Sequence, residues 1–265
     1  MIFRLCRCHF HFRAAESVYF PPGKAGNILR GALGTILRFE DLASAEAARP
    51  SGLGYPPKPF VFRAGHLDGK RFAPDQFFSL DVNIFDRRGP LFGILTRAFS
   101  EWTRTGLGPR RGRVDLVNST QEDVIVDLES GQKVSKCSLL FHTPTELKGN
   151  PSRDEMPFGV LFSRVRDRVA TLANLYGEGP LPVDFQGLSE RANRVRTVRS
   201  ELRYQDVQRQ SSRTGAVHGI GGVTGRVDYE GDLTEFVSWL RAAWWTGVGR
   251  HTVWGNGAIE VADVE

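Results

Sequence analysis

The side chains best suited to moving protons in this chain are its histidines, at positions 9, 11, 66, 142, 218 and 251. An imidazole titrates near neutrality, so a well-placed histidine serves as general acid or base. His9 and His11 stand two apart on one face of an extended segment, a spacing that could hold a metal, but no cluster of Cys, Asp or Glu completes the set. Cys6 and Cys8 form a C-x-C pair with a single remote companion, Cys137, which fits neither a zinc site nor a disulfide framework. We therefore expect no metal and no cofactor, and read the cysteines as buried small apolar residues of a reducing compartment. His251 has a different setting. It lies within "TGVGRHTVWGNG" (Thr246 to Gly257), next to Arg250 and among Gly247, Gly249, Gly255 and Gly257. His218 precedes Gly219 in a second glycine-rich stretch, "HGIGGVTG".

Neither stretch is a nucleotide loop. A dinucleotide fingerprint needs G-x-G-x-x-G between a strand and a helix, yet the sixth position is Thr252 in one stretch and Thr224 in the other. Neither carries the Lys-Ser/Thr of a phosphate loop. The charge pattern points to a polyanion instead. The net charge is +5, and lysine occurs only at 24, 58, 70, 133, 136 and 148, the other basic residues being arginine, whose planar guanidinium pairs bidentately with phosphate. Arg191, Arg194, Arg196, Arg199, Arg203, Arg209 and Arg213 crowd a single segment, with only Glu190, Glu201 and Asp206 in or beside it. Such a run suits phosphodiester contacts, and the glycines that follow let backbone N–H groups approach the chain closely. No apolar run reaches the ~20 residues of a membrane helix. The Arg- and His-studded amino terminus lacks a signal peptide's apolar region, so a cytoplasmic location is expected.

Two repeats of the same pattern must position these residues. "IFRLCRCHFHFRA" alternates as a strand, with Cys6, Cys8, Phe10 and Phe12 on one face and Arg7, His9, His11 and Arg13 on the other. Residues 27–38 place Ile28, Leu29, Ala32, Leu33, Ile36 and Leu37 on one helical stripe. Strands over "FVFRAG" and "QFFSLDVNIFD", a helix over "LFGILTRAFSEWTRTG" ending at Gly106, and a hairpin over "GRVDLVNSTQEDVIVDLESG" complete the first half. The second half runs strand ("KVSKCSLLFHTPTELKG"), helix ("PFGVLFSRVRDRVATLANLYG"), two strands, a helix and a last strand near residues 258–264. Asp232, with Glu235 three residues on, reads as the capping box of that last helix, taken as Asp232–Trp245. The order predicts an α+β protein of two tandem ferredoxin-like (RRM-like) βαββαβ domains, residues 1–132 and 133–265, joined by a fixed interface.

The segments "NILRGALGTILR", "FHTPTELK", "SELRYQDVQRQSSR…GIGGVTGRVDYEGDLTEF" and "GVGRHTVWGNG" together resemble the CRISPR precursor-crRNA processing endoribonucleases of the RAMP (repeat-associated mysterious protein) superfamily. The resemblance spans nearly the whole chain and is most specific from Glu201 to Gly257. It implies metal-independent cleavage of CRISPR repeat RNA: the ribose 2′-hydroxyl attacks the adjacent phosphorus and leaves a 2′,3′-cyclic phosphate and a 5′-hydroxyl. It also implies an RNA surface formed by the glycine-rich loop near the domain interface. Many relatives follow "LRGALG" with histidine where this chain has Thr35, and place another where it has Gly247. The catalytic candidates are accordingly His251, His218, Tyr19 and Lys24. The RNA-binding candidates are Arg30, Arg194, Arg199, Arg203, Arg209, Arg213, Gly247, Gly249, Arg250, Gly255 and Gly257, with the glycines pressing backbone against RNA. The resemblance also leaves room for a non-catalytic subunit that holds crRNA beside other subunits of an effector complex.

Overall fold

In a computed structural model of the chain, residues 1–38, 42, 56–129, 132–150, 155–210 and 217–265 are described, without the side chains of 209, 210, 217 and 218. The amino-terminal unit runs β1 (Ile2–Ala14), β2 (Val18–Tyr19), α1 (Ala25–Gly34), β3 (Phe60–Arg63), β4 (Arg71–Phe72), β5 (Phe77–Ile84), α2 (Leu91–Ser100), α3 (Trp102–Thr105) and β6 (Val114–Asp127). The second runs β7 (Lys136–Thr145), α4 (Phe158–Tyr176), α5 (Phe185–Ala192), β8 (Arg196–Gln205), β9 (Gln208–Gln210), β10 (Val217–Gly219), β11 (Gly222–Glu230), α6 (Val237–Thr246) and β12 (Ile259–Val264). The four-stranded antiparallel sheets are ordered β3-β5-β1-β6 and β12-β7-β11-β8. In each, the first and third strands of a βαββαβ unit lie in the middle, which is the ferredoxin-like arrangement twice over. No helix among the described residues is long and apolar enough to cross a membrane.

The alternation of β1 builds the first core. Cys8, Phe10 and Phe12 are fully buried, and Phe10 meets Phe99 of α2 at 4.6 Å while Phe12 meets Trp102 of α3 at 5.5 Å. Burying each such ring is worth about 1.5–3 kcal/mol. The opposite face behaves differently at its start. Phe3 and Leu5 are buried in the second unit's core, with Leu161 and Val165 of α4 and Leu240 of α6. One strand thus serves two cores and ties the units together.

Polar contacts fix the same interface. The last carbonyls of α6 have no partner within the helix. Arg63 on β3 donates to the Trp244 carbonyl and Asn83 on β5 to that of Trp245 at 2.8 Å, both across the interface, while Arg168 on α4, within the second unit, donates to that of Thr246 at 3.2 Å. Arginines at a helix C-terminus also suit its negative end. No carboxylate pairs with Arg63 among the described residues, and burial, reinforced by the charge of Arg168, works against its charged form.

Several local expectations are corrected. The segment expected as a hairpin is the single strand β6, because its polar middle lies on an exposed sheet edge where "NSTQED" needs no turn. Asp232 and Glu235 form no capping box. Asp232 closes a turn by accepting from the Thr234 N–H at 3.3 Å, Glu235 binds Arg191, and α6 starts only at Val237. The first helix starts at Ala25 and ends at Gly34 rather than spanning 27–38, and α5 and the β9–β10 hairpin are additions.

Candidate functional site

The terminal glycine-rich loop follows α6 and returns to β12 across the junction of the two units. Its neck is closed by the Val248 N–H on the Gly257 carbonyl at 2.9 Å. The Arg250 N–H donates to the Glu146 carbonyl at 3.0 Å, the Gly257 N–H to that of Pro144 at 3.1 Å, and the Thr143 hydroxyl to that of Gly255 at 2.9 Å. Gly247 and Gly255 also have positive φ, the first ending α6 and the second ending a 3-10 turn at Thr252–Trp254. At Gly249 and Gly257 (φ +85° and +73°) the side that lacks Cβ lies against the carbonyls of Glu146 and Val248, so these faces press on protein backbone. The Arg250 guanidinium pairs with the Glu146 carboxylate at 3.1 Å.

His251 enters the turn in the left-handed region (φ +61°, ψ +21°), which costs an L-residue about 1–2 kcal/mol. Its ring lies parallel to Trp254, with centroids 4.7 Å apart and planes at 14°. On the indole, 4.9 Å from its centroid, sits the guanidinium of Arg30, from α1 of the other unit. The backbone of α1 touches the same turn at Gly26, where any Cβ would overlap the Trp254 carbonyl oxygen. At the head of α1, the Lys24 ammonium donates to the Gln208 carbonyl of β9. The base of the β9–β10 hairpin is held by the Ile220 N–H on Val207 at 2.7 Å, and by Asn256 of the loop on the Ile220 carbonyl at 2.8 Å. Lys24, Arg30, His251, Arg250 and the hairpin of Arg209 and His218 thus adjoin one junction. His218 pairs with Arg209 through backbone, but the side chains of both, and all of Arg213, lie outside the described residues.

Other candidates stand apart. Tyr19 belongs to the β2–β4 ribbon, its ring 4.9 Å beneath Arg71. Thr35 ends α1 with its hydroxyl donated back to the Ala32 carbonyl at 2.7 Å. His9 is bound to Asp81, His66 meets the Ser79 carbonyl at 3.0 Å, and His142 meets Glu260 at 2.6 Å. The arginine run is less bare than its sequence neighbours indicate. Arg191 grips Glu235 at 2.5 and 2.8 Å, Arg196 reaches Glu230 at 3.2 Å, and Arg199 reaches Glu201 at 2.5 Å. Exposed Arg194 and Arg203 make no ion pair among the described residues. Trp254 was missed by sequence reasoning. Its signal was an aromatic ring within the glycine loop, whose partner on α1 lies more than two hundred residues away in the chain. No three or more His, Cys, Asp or Glu among the described residues form a metal-ligand group.

Two ferredoxin-like units, with the glycine-rich loop of the second packed against the first helix and cations at the junction, form the arrangement that the resemblance to RAMP proteins implies. Residues 139–259 match the family model of the CRISPR-associated endoribonuclease Cas6, and residues 3–136 match a model described as an N-terminal domain (AF_1859_N). That Cas6 match covers the second unit from β7 to the start of β12, and it is this part of the chain that is similar to the CRISPR-associated endoribonucleases. No curated protein matches it. Among solved structures it is similar to the product complex of Thermus thermophilus Cas6 (TTHB231), at 17% identity and a TM-score of 0.58 over 98% of this chain and 99% of that one. It is likewise similar to the product complex of Cas6 (TTHA0078), at 18% identity and 0.58 over 99% and 100%. A chain of the partial Cas6-RT-Cas1–Cas2 complex matches at 9% identity and 0.63, over 99% of this chain and 46% of that one. At these identities the likeness is one of fold.

Proposed function

We propose that this chain binds and cuts CRISPR repeat RNA at the junction of α1, the Thr252–Trp254 turn and the β9–β10 hairpin. The reaction is metal-independent 2′-hydroxyl attack, giving a 2′,3′-cyclic phosphate. The observation that supports this reading is that Arg30 of α1 and His251 of the terminal loop, from opposite units, both pack on the Trp254 indole. His251 is the proton-transfer group in the cut. Arg30, Arg250 and Lys24 offset charge developing on the phosphorane. His218 is a second candidate for proton transfer, and Tyr19, on its separate ribbon, assists through the RNA rather than through His251. Arg194, Arg199, Arg203, Arg209 and Arg213 hold the stem by its phosphates, since the deep groove of A-form RNA admits side chains poorly. Gly247, Gly249, Gly255 and Gly257 shape the loop that presents Arg250. The units divide at 132/133, a placement supported by the gap between β6, ending at Asp127, and β7, starting at Lys136. The process is cytoplasmic and extends to other CRISPR proteins, as the Cas6-RT-Cas1–Cas2 assembly illustrates for its own Cas6 part.

The test is incubation with the repeat RNA of the same locus in EDTA, followed by end-group analysis. Two fragments, one ending in a cyclic phosphate, support the reading. A second reading, a subunit that holds crRNA without cutting it, is favoured by one observation: Thr35 and Gly247 stand where many relatives carry histidine, and the Thr35 hydroxyl is spent on α1. That protein would co-purify with intact precursor when expressed with a repeat array.

A further inference from the structure

Trp254 belongs to neither the proton-transfer groups nor the cations, yet it touches a member of each. Its indole lies parallel to the His251 ring and carries the Arg30 guanidinium. Its carbonyl lies against the backbone of α1 at Gly26, and the residue after it, Gly255, is pinned by the Thr143 hydroxyl on β7. The ring is thus anchored to both units by contacts that do not involve His251. His251 enters a tight turn with positive φ, and its ring lies at stacking distance on the indole, which narrows the orientations the imidazole can take. The guanidinium on the indole adds a favourable cation–π contact.

We propose that Trp254 is a positioning residue for RNA cleavage: it orients the His251 imidazole and fixes its distance from α1, and so from Arg30. This rests on the reading that His251 takes part in the cut. Nothing in the role needs Trp254 to touch the scissile phosphate. Losing the stack leaves RNA binding intact and lowers the rate of the chemical step, because misplacing a reacting group by about 1 Å costs on the order of a hundredfold.

The experiment is single-turnover cleavage of the repeat RNA at saturating protein, with binding measured separately, for wild type, Trp254→Leu, Trp254→Phe, His251→Ala and the double variant Trp254→Leu/His251→Ala. Trp254→Leu is expected to lower the cleavage rate roughly ten- to a hundredfold with RNA affinity within about threefold, and Trp254→Phe, which keeps a stacking face, to restore most of it. The double variant is expected to be no slower than His251→Ala alone, because Trp254 acts through His251. The His251 ring-proton resonances, assigned by their loss in His251→Ala, should lie upfield in wild type and move downfield in Trp254→Leu.

Additive losses in the double variant, or unshifted His251 resonances in Trp254→Leu, overturn the inference while leaving His251 catalytic. Full activity in His251→Ala overturns the underlying reading, and the inference with it. If Trp254→Leu does not fold, the decision passes to Trp254→Phe and the wild-type resonances: a tenfold loss in the phenylalanine variant, or His251 protons without an upfield shift, refutes the role.

Discussion

Replacing Gly26 by alanine tests the junction through a sign. Gly26 lies in the first turn of α1, and alanine there would ordinarily favour the helix by about 0.5–1 kcal/mol. The structure reverses that expectation. A Cβ at this position would overlap the Trp254 carbonyl oxygen, lie 2.7 Å from its carbon and 3.4 Å from its Cα, all backbone atoms. No rotamer change relieves such a contact, so α1 and the Thr252–Trp254 turn must separate. Overpacking of this kind costs about 1–3 kcal/mol, so the net effect is a loss of up to about 2.5 kcal/mol. Gly31, in the same helix, supplies the control, since a Cβ there meets nothing within 4 Å. Gly31→Ala should therefore stabilise by about 0.5–1 kcal/mol. Thermal unfolding separates the two variants, with midpoints moving in opposite directions by about 2–4 °C per kcal/mol. Cleavage should fall in Gly26→Ala and hold in Gly31→Ala. A Gly26→Ala protein as stable as Gly31→Ala would refute the packing of α1 on the turn, and with it the site.

Other outcomes follow from the same geometry. Asn83, 1% exposed, donates to the Trp245 carbonyl, so Asn83→Ala leaves that acceptor buried and should cost about 1–3 kcal/mol, read by urea unfolding. Joint Arg194→Ala and Arg203→Ala substitution should weaken RNA binding and flatten the slope of log affinity against log salt by about 0.7–0.9 for each phosphate no longer neutralised. Arg191→Ala, which breaks a surface pair with Glu235, should cost at most about 1 kcal/mol of stability and leave the slope unchanged. The Asp228 carboxyl is held below the usual carboxylate range: burial works to raise it, but the Ser138 hydroxyl and Arg226 outweigh burial. Its stabilising contribution is complete above the unfolded carboxylate value and is lost as pH falls through the lower folded one. Arg226→Leu should therefore raise the Asp228 value, which an NMR titration would show, and start acid unfolding at higher pH.

Much of the fold was legible because period-two and helical patterns are local. Cys8, Phe10 and Phe12 announced the inner face of β1, and both βαββαβ orders followed from similar stretches. Phe3 and Leu5 show the limit. They lie on the face that carries Arg7 and His9, and only the approach of α4 and α6 explains why they are buried. The capping box failed for the same reason: Glu235 has a partner, Arg191, that no local motif reveals. At the site, His251, Arg250 and Arg30 could be picked out by residue type and resemblance. Trp254 could not, because an indole between glycines gains its meaning only from α1. The arginine run was overread, since Glu230 and Glu235 reach it across strand and helix rather than along the chain.

The most direct test of His251-dependent cleavage is the single-turnover rate on repeat RNA for wild type and for His251→Ala, both in EDTA with correctly folded protein. Wild type is expected to yield a 2′,3′-cyclic phosphate product. His251→Ala should slow its formation at least about tenfold, a floor beneath the ~10²–10⁴ that one acid–base group typically contributes. Equal rates in the two proteins, or no cleavage by wild type until a divalent metal is added, would contradict it.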